Sequence, residues 1–176
     1  MEQVKLGSEN VLSQNDLRLY RVDADKISHE FLAQIIEKSR QSHIMKFEKE
    51  EDSGGRFKDE KSYRSWADKK RVIYLLADSK NGDLAGIIWF GKRNNPKIDK
   101  KYSITFGIRL YEGYLGKGLS KPLMKASHSN VKNIFSSKYI WLDYDANNFI
   151  AGKAYKSFGY EELGQADGRI IMGKKL

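Results

Sequence analysis

Leu115-Gly116-Lys117-Gly118-Leu119-Ser120 separates an apolar, strand-like run, Ile104 to Leu110, from a helix-like run that follows Ser120. A glycine-rich turn between a strand and a helix presents unpaired backbone N–H groups at the positive end of the helix dipole. This arrangement suits the phosphate or pyrophosphate group of a ligand. The stretch therefore predicts an anion-binding loop that connects a central strand to a helix.

Two well-known phosphate loops do not fit these residues. A triphosphate loop, G-x-x-x-x-G-K-[ST], aligns with Gly113 and Gly118 but places Leu119 where its lysine must be. A dinucleotide fingerprint, G-x-G-x-x-G, aligns with Gly116 and Gly118 but meets Lys121 at its third glycine. The predicted anion is therefore neither a triphosphate nor a nicotinamide cofactor.

A second segment carries the spacing N-x-x-A-x-x-x-Y-x-x-x-G-Y, formed by Asn148, Ala151, Tyr155, Gly159 and Tyr160. Together with residues 115–120, this segment resembles the acetyl-CoA signature of the GNAT family of N-acetyltransferases. The family's loop reads R/Q-x-x-G-x-G/A, so Gly118 matches, whereas Leu115 and Ser120 depart from it. Because main-chain amides hold most of the pyrophosphate, these departures are expected to weaken the site without abolishing it.

The resemblance implies a fold and a cofactor. The fold is α/β, with a mixed, mostly antiparallel central sheet flanked by helices, the acyl-CoA N-acyltransferase fold. The co-substrate is acetyl-CoA, whose pantetheine arm lies along the backbone of Ile108 to Leu110, and a main-chain N–H near Leu110 polarises the thioester carbonyl. The residues that this resemblance assigns to the cofactor are Ile108, Leu110, Leu115, Gly116, Lys117, Gly118, Leu119, Ser120, Asn148 and Tyr155.

The resemblance also implies catalytic roles. Tyr155 is the predicted general acid toward the leaving thiolate, since a phenol with a pKa of about 10 can return a proton near neutrality. Asp143, on the strand before Asn148, is the predicted general base, acting directly or through water, with Asp145 and Glu112 as alternatives. Each carboxylate also has an ordinary interpretation as a solvated surface group, and Tyr155 could fill core. Asn148 is expected to cap a helix as well as to bind the cofactor arm.

Composition limits which other kinds of protein and binding site are expected. The chain has 176 residues, no cysteine, three isolated histidines and a net charge of +9. A single domain over residues 1–176 is expected, without disulfides, thiolate metal sites or a structural zinc site. No apolar run has the length of a membrane span, and residues 1–12 are too polar for a secretory leader, so a cytoplasmic protein is expected. The positive charge implies an affinity for anions, with nucleic acid, acidic membrane and coenzyme A as candidates.

Periodicity places the motifs on strands and helices. Residues 1–16 allow an edge strand or an arm, residues 46–60 form a charged connection containing Ser53-Gly54-Gly55, and Asn81-Gly82 is a hairpin turn. The predicted strands are Leu17 to Asp23, Arg71 to Ala77, Leu84 to Phe90, Tyr102 to Leu110, Tyr139 to Tyr144 and two that flank Asp167-Gly168. The predicted helices start at Asp25, with Asp25 or Ser28 as cap, then cover Lys58 to Lys69, residues 120 to about 133, and Asn148 to Ser157.

These features predict an acetyl-CoA-dependent N-acetyltransferase in which the primary amine of a small molecule or peptide attacks the thioester directly in a ternary complex. One alternative is a catalytically silent acyl-CoA-binding sensor of the same fold. Another is a basic nucleic-acid-binding protein, which is disfavoured because its aromatics lie in apolar runs typical of core: Trp89, Phe90, Phe106 and Trp141. A homodimer is compatible with the fold, although no residue indicates one.

The acidic run from Phe47 to Asp52 falls in a region that borders the acceptor site in similar proteins. It raises the hypothesis that the acceptor is cationic, such as a polyamine or a lysine side chain. The alternative is a solvated charged face, the usual role of such a run.

Overall fold

An eight-stranded sheet forms the centre of the computed structural model, which describes residues 8–48 and 55–176. The strands are β1 (Ser8–Gln14), β2 (Leu17–Val22), β3 (Val72–Asp78), β4 (Leu84–Lys92), β5 (Ile104–Leu110), β6 (Tyr139–Asp145), β7 (Glu161–Ala166) and β8 (Arg169–Lys175). Their order in the sheet is β1-β2-β3-β4-β5-β6-β8-β7. Every neighbouring pair is antiparallel except β5 and β6, which run parallel. The predicted mixed, mostly antiparallel sheet is confirmed.

Helices cover both faces of this sheet. They are α1 (His29–Lys38), α2 (Ser42–Met45), α3 (Glu60–Ala67), α4 (Ser120–Val131) and α5 (Phe149–Ser157), with a 3₁₀ turn at Ala24–Lys26. The apolar side chains of α1 and α3 pack on one face with Trp89, and those of α4 pack on the other with Phe90 and Phe106. Because side chains alternate along a strand, consecutive residues such as Trp89 and Phe90 enter different cores.

Local capping chemistry sets the helix starts. Ser28 caps α1 by accepting a hydrogen bond from the N–H of Phe31 at 3.3 Å, and Ile27 just before it is extended. Asp59 caps α3 by accepting from the N–H of Ser62 at 2.8 Å. The first predicted helix therefore starts at residue 29, and Asp25 belongs to the separate 3₁₀ turn. The second predicted helix shortens to residues 60–67.

The remaining elements match their predictions within a few residues. Residues 8–14 form the edge strand, β5 begins at Ile104, and α4 ends at Val131. Both predicted turns are present, with left-handed backbone at Gly82 (φ 73°) and Gly168 (φ 70°). The predicted flexible connection at Ser53-Gly54 lies outside the described residues. No helix within residues 8–48 and 55–176 is long and apolar enough to cross a membrane.

Candidate active site

The two parallel strands at the centre of the sheet separate from each other. β5 pairs with β6 only through Ile104–Ile140 and Thr105–Trp141, whereas it pairs with β4 along its whole length, to Leu110. Beyond Thr105 the second half of β5 therefore has no sheet partner on the β6 side. Because the two strands run in the same direction, the gap lies at their carboxyl ends.

The backbone groups that face this gap follow from the pairing with β4. The N–H of Tyr111 donates to the carbonyl of Ala85 at 3.0 Å. Backbone groups alternate sides along an antiparallel pair, so those of residues 105, 107 and 109 point to β4 and those of Ile108 and Leu110 point into the gap. The Leu110 carbonyl accepts a hydrogen bond from His43 Nε2 at 3.0 Å. The Leu110 N–H and both backbone groups of Ile108 are thus directed toward a ligand lying in the gap.

The glycine loop lies between the end of β5 and α4. Gly113, Gly116 and Gly118 have φ values of 84°, 70° and 68°, a left-handed backbone that side chains with a Cβ disfavour. No side chain caps the first turn of α4, which begins at Ser120. The N–H groups at this helix start can therefore bind an anion, except at Pro122, which has none.

One cleft of about 1010 Å³ joins the gap to both faces of the sheet. The predicted site residues that line it are Ile108, Leu110, Leu115, Ser120, Asp143, Asn148 and Tyr155. The loop residues Gly116, Lys117 and Gly118 are exposed and lie outside the lining, and the Leu119 side chain is buried in the core beneath α4. The structure thus brings both predicted catalytic residues into one cavity with the backbone of β5.

Tyr155 packs into this cavity from α5. Its ring lies 6.5 Å from that of Phe106, 5.7 Å from Tyr144 and 5.8 Å from Tyr160, measured between centroids. Burial raises the pKa of Tyr155 to about 12, and the nearby Arg169 opposes this effect. The phenol is therefore protonated at neutral pH, as a proton donor must be. The higher pKa also makes it a weaker acid than an unperturbed tyrosine.

The predicted carboxylates differ in their surroundings. Asp143 Oδ1 accepts a hydrogen bond from Arg169 Nε at 2.7 Å, and both side chains are mostly buried. Asp145 also lines the cleft, and its carboxylate accepts from the N–H of Asn147 at 2.8 Å. Glu112 is exposed and does not line the cleft. Among the three predicted candidates, Asp143 and Asp145 are the ones that face the cavity.

Asn148 is the helix cap that the sequence predicts. Its Oδ1 accepts a hydrogen bond from the N–H of Ala151 at 3.1 Å, and its own N–H donates to the carbonyl of Asp145 at 2.8 Å. The carboxamide oxygen is thus occupied by the helix, while the residue as a whole lines the cleft. Its Nδ2 group is the part suited to a cofactor carbonyl.

Two mostly buried arginines fix the segment after α2 over the cleft. Arg109, on β5, forms an ion pair with Glu48 and lies over the rings of Phe57 and Trp89. Arg169 also donates to the carbonyl of Phe47 at 3.3 Å. Glu48 is the part of the predicted acidic run that the structure describes, and Arg109 compensates its charge. Glu50 and Glu51 lie outside the described residues.

His43 is a cleft residue that the sequence does not single out. A carbonyl oxygen only accepts, so the hydrogen bond to Leu110 places the proton of neutral His43 on Nε2. Its Nδ1 atom is buried and has no hydrogen-bond partner among the described residues. The short helix α2, which carries His43, has too few apolar positions to be predicted from periodicity.

The aromatic residues expected in the core are buried. Trp89, Phe90, Phe106 and Trp141 are all less than 10% exposed, at 7%, 0%, 4% and 2%. They are therefore not arranged as a surface on which nucleic-acid bases could stack.

Comparisons with known proteins agree with this geometry. A profile of the acetyltransferase (GNAT) family matches residues 33–160. A spermine/spermidine N(1)-acetyltransferase of Bacillus subtilis is 32% identical over 99 residues, 54% of this chain and 65% of that protein. A probable spermine N(1)-acetyltransferase of Bacillus subtilis subsp. natto is 31% identical over the same length. The chain thus spans less than two thirds of the curated relatives that it matches.

Solved structures share the fold. A ribosomal-protein-S5-alanine acetyltransferase from Vibrio fischeri has a TM-score of 0.71 at 12% identity, covering 93% of this chain and 95% of that one. A spermidine N-acetyltransferase from Vibrio cholerae, in complex with CoA and spermine, has a TM-score of 0.66 at 17% identity, covering 91% and 94%. At such identities the likeness concerns the fold alone.

Proposed function

The chain belongs to the acetyltransferase (GNAT) family of N-acetyltransferases, and from this premise we propose that it transfers the acetyl group of acetyl-CoA to the primary amine of a small acceptor. The observation that carries this proposal is the gap between β5 and β6, together with the uncapped start of α4. The relatives named for spermine and spermidine support a small amine as acceptor.

The cofactor is proposed to bind mainly to backbone groups. The N–H groups at the start of α4 and around Gly118 hold the pyrophosphate, and the left-handed glycines allow the loop to curve around it. The Ile108 carbonyl and the Leu110 N–H bind the pantetheine arm like an added strand, and Asn148 donates to it from the other side of the gap. Leu115, 45% exposed at the cleft, covers the arm with an apolar surface instead of adding a hydrogen bond.

When bound, acetyl-CoA supplies the electrophile, its thioester carbonyl carbon. The Ile108 N–H, the other N–H near Leu110 that is directed into the gap, polarises that carbonyl in this proposal, and such a donor contributes about 3 kcal/mol when it is aimed at developing charge. Asp143 removes a proton from the attacking amine, directly or through a water, and Arg169 fixes its carboxylate for that task. Tyr155 protonates the sulfur as the carbon–sulfur bond breaks. The nitrogen acquires the acetyl group, and coenzyme A leaves as a free thiol.

Thiol release tests this proposal. The protein is mixed with acetyl-CoA and a panel of primary amines, free thiol is followed colorimetrically, and the acetylated amine is identified by mass spectrometry. Release above the amine-free background supports transfer. The silent sensor predicts calorimetric binding of acetyl-CoA without thiol release from any amine. Absence of acetyl-CoA binding to folded protein would refute both functions.

A further inference from the structure

A group of basic side chains lies at the end of the cleft where β5 and β6 are still paired. Arg71 precedes β3, and its Nη1 would be 2.6 Å from a Cβ at Gly91, so the missing side chain there leaves room for the guanidinium. Gly91 pairs with Thr105 of β5. Lys69, Lys92 and Arg93 line the same cavity. We call Lys69, Arg71, Lys92 and Arg93 the basic cluster.

Tryptophan rings hold the arginines of this cluster in place. The Arg71 guanidinium lies 4.7 Å from the ring centroid of Trp66, and its Nε donates to the Trp66 carbonyl at 3.0 Å. Arg93 lies 5.7 Å from the ring centroid of Trp141. A guanidinium held against an aromatic face keeps its edge N–H groups available for a planar anion. Arg71 is therefore oriented before any ligand binds, and Arg93 lies beside it at the exposed rim.

Within residues 8–48 and 55–176, no carboxylate forms an ion pair with the cluster. Neither Arg71 nor Arg93 forms an ion pair with an acidic residue in the described part of the chain, whereas Arg109 and Arg169 pair with Glu48 and Asp143. Burial lowers the pKa of Arg71 to about 10, and the positive charges of Arg56 and Arg93 add to the effect. Cations that repel each other in one cavity are stabilised by a bound anion.

The position of the cluster separates it from the cofactor's phosphates. Arg71 stacks on Trp66 of α3, on the face of the sheet opposite α4 and its glycine loop. Along β5, Thr105 and Ile108 are three residues apart, or about 10 Å at the rise of a strand. An acceptor whose amine reaches the thioester beside Ile108 would therefore place its other end among these basic groups.

We infer that the acceptor is a primary amine that also carries an anionic group, a carboxylate or a phosphate, about 10 Å from its nucleophilic nitrogen. Arg71 and Arg93 bind that group, and Lys69 and Lys92 attract it at the rim. This inference rests on the proposed function and specifies its substrate class. It is the alternative to the cationic acceptor that the acidic run raises, whose Glu50 and Glu51 lie outside the described residues. Among the residues that are described, seven Lys or Arg and three Asp or Glu line the cleft.

Four acceptors of equal length test the inference: ω-aminooctanoate, ω-aminooctyl phosphate, ω-aminooctanamide and diaminooctane. They differ in the group at the far end, which is a carboxylate in the first, a phosphate in the second, a neutral amide in the third and a cationic amine in the fourth. We expect kcat/KM for at least one anionic acceptor to exceed that of the amide about 10-fold or more, with the diamine lowest. The anionic acceptor with the higher kcat/KM shows whether the group that the cluster binds is a carboxylate or a phosphate. Equal rates for all four, or a preference for the diamine, overturn the inference while leaving acetyl transfer intact.

Variants assign the preference to the cluster. Arg71→Gln and the exposed Arg93→Gln are each expected to lower kcat/KM for the anionic acceptor about 10-fold and to leave the amide unchanged. Arg18→Gln, on β2 and outside the cleft, is the matched control and should change neither. If both variants keep the preference for the anionic acceptor, the basic cluster is not its cause. If Arg71→Gln fails to fold, the result for Arg93→Gln alone decides between these outcomes.

A binding measurement separates this inference from the proposed function. If no acceptor releases thiol, acetyl transfer fails, and ω-aminooctanoate and ω-aminooctyl phosphate are then titrated calorimetrically into protein saturated with coenzyme A. Binding of either that Arg93→Gln weakens about 10-fold upholds an anion subsite. No binding, or binding that the substitution leaves unchanged, overturns it.

Discussion

Replacing Tyr155 with phenylalanine isolates the chemical role of one hydroxyl group. The ring contacts with Phe106, Tyr144 and Tyr160 remain, and the hydroxyl makes no hydrogen bond to any described residue. We therefore expect the free energy of unfolding to change by less than about 1 kcal/mol. Binding of acetyl-CoA should also be retained, since the proposed site holds the pyrophosphate and the arm mainly through backbone groups and the Tyr155 ring stays in place.

The expected loss of rate follows from the pKa of the phenol. General acids contribute about 10²- to 10⁴-fold, with the most effective ones near the working pH. Burial raises the pKa of Tyr155 to about 12, so this phenol is a weak acid for a thiolate. We therefore expect the low end of that range, a fall of about 10²-fold in kcat with KM for acetyl-CoA unchanged. Because the proton is lost only as pH rises through that pKa, no loss of the acid should appear below about pH 10.

Steady-state kinetics with saturating amine measure this effect, and thermal melting checks the fold. Tyr139→Phe is the matched control, since Tyr139 lies at the start of β6 outside the cleft and should keep its full rate. A fall of less than about threefold in kcat for Tyr155→Phe, well below the expected range, would refute the general-acid role. A tenfold rise in KM for acetyl-CoA at constant kcat would instead make Tyr155 a binding residue.

Two further substitutions test the loop and the buried ion pair. Gly118→Ala (φ 68°) and its control Gly82→Ala (φ 73°) place alanine in left-handed backbone, so each should cost about 1 kcal/mol in urea unfolding. Only Gly118→Ala should raise KM for acetyl-CoA, about 10-fold, and an equal effect of Gly82→Ala would contradict the loop assignment. Arg169→Met removes the guanidinium from Asp143 and should destabilise by about 3 kcal/mol, whereas Arg64→Met, in an exposed pair, should cost under 1 kcal/mol. Similar losses for both would show that the Arg169 pair adds little.

The glycine turn and helix start on the proposed cofactor side of the cleft could be predicted from the sequence because local signals specify them. Glycines at 116 and 118, a strand before them and a helix after them determine where backbone N–H groups are exposed. The Asn148 cap follows from the same kind of local rule. Such signals act over a few residues of chain, so they are readable without the tertiary structure.

The acceptor side could not be predicted in this way. Arg71 contacts Trp66 and Gly91, and Arg109 forms an ion pair with Glu48. No local sequence pattern indicates that these residues are neighbours in the fold. Each residue alone is an ordinary charged or aromatic position. The sheet register brings them together, and the sequence does not state that register.

The acidic run illustrates why a charge pattern has to be weighed together with its partners in the fold. Read alone, Glu48 and its neighbours indicate attraction for a cation. In the structure Arg109 neutralises Glu48, and Arg71 and Arg93 stand at the far end of the same cleft. The charge that a ligand meets is the sum over the folded cavity, and a run in the sequence does not give that sum by itself.

The summed charge of the cavity also determines how strongly the protein discriminates between acceptors of different charge. Two like unit charges about 7 Å apart repel by about 2.4 kcal/mol at an effective dielectric constant of about 20. A linear polyamine whose second nitrogen lies that far from Arg71 would therefore bind roughly 50-fold more weakly than a neutral analogue, before solvent screening at the rim reduces the effect. A carboxylate or phosphate gains an attraction of similar size and adds hydrogen bonds to it. A few side chains at this rim can thus set the preferred acceptor charge, separately from the backbone groups of β5 and α4 that are proposed to hold the cofactor.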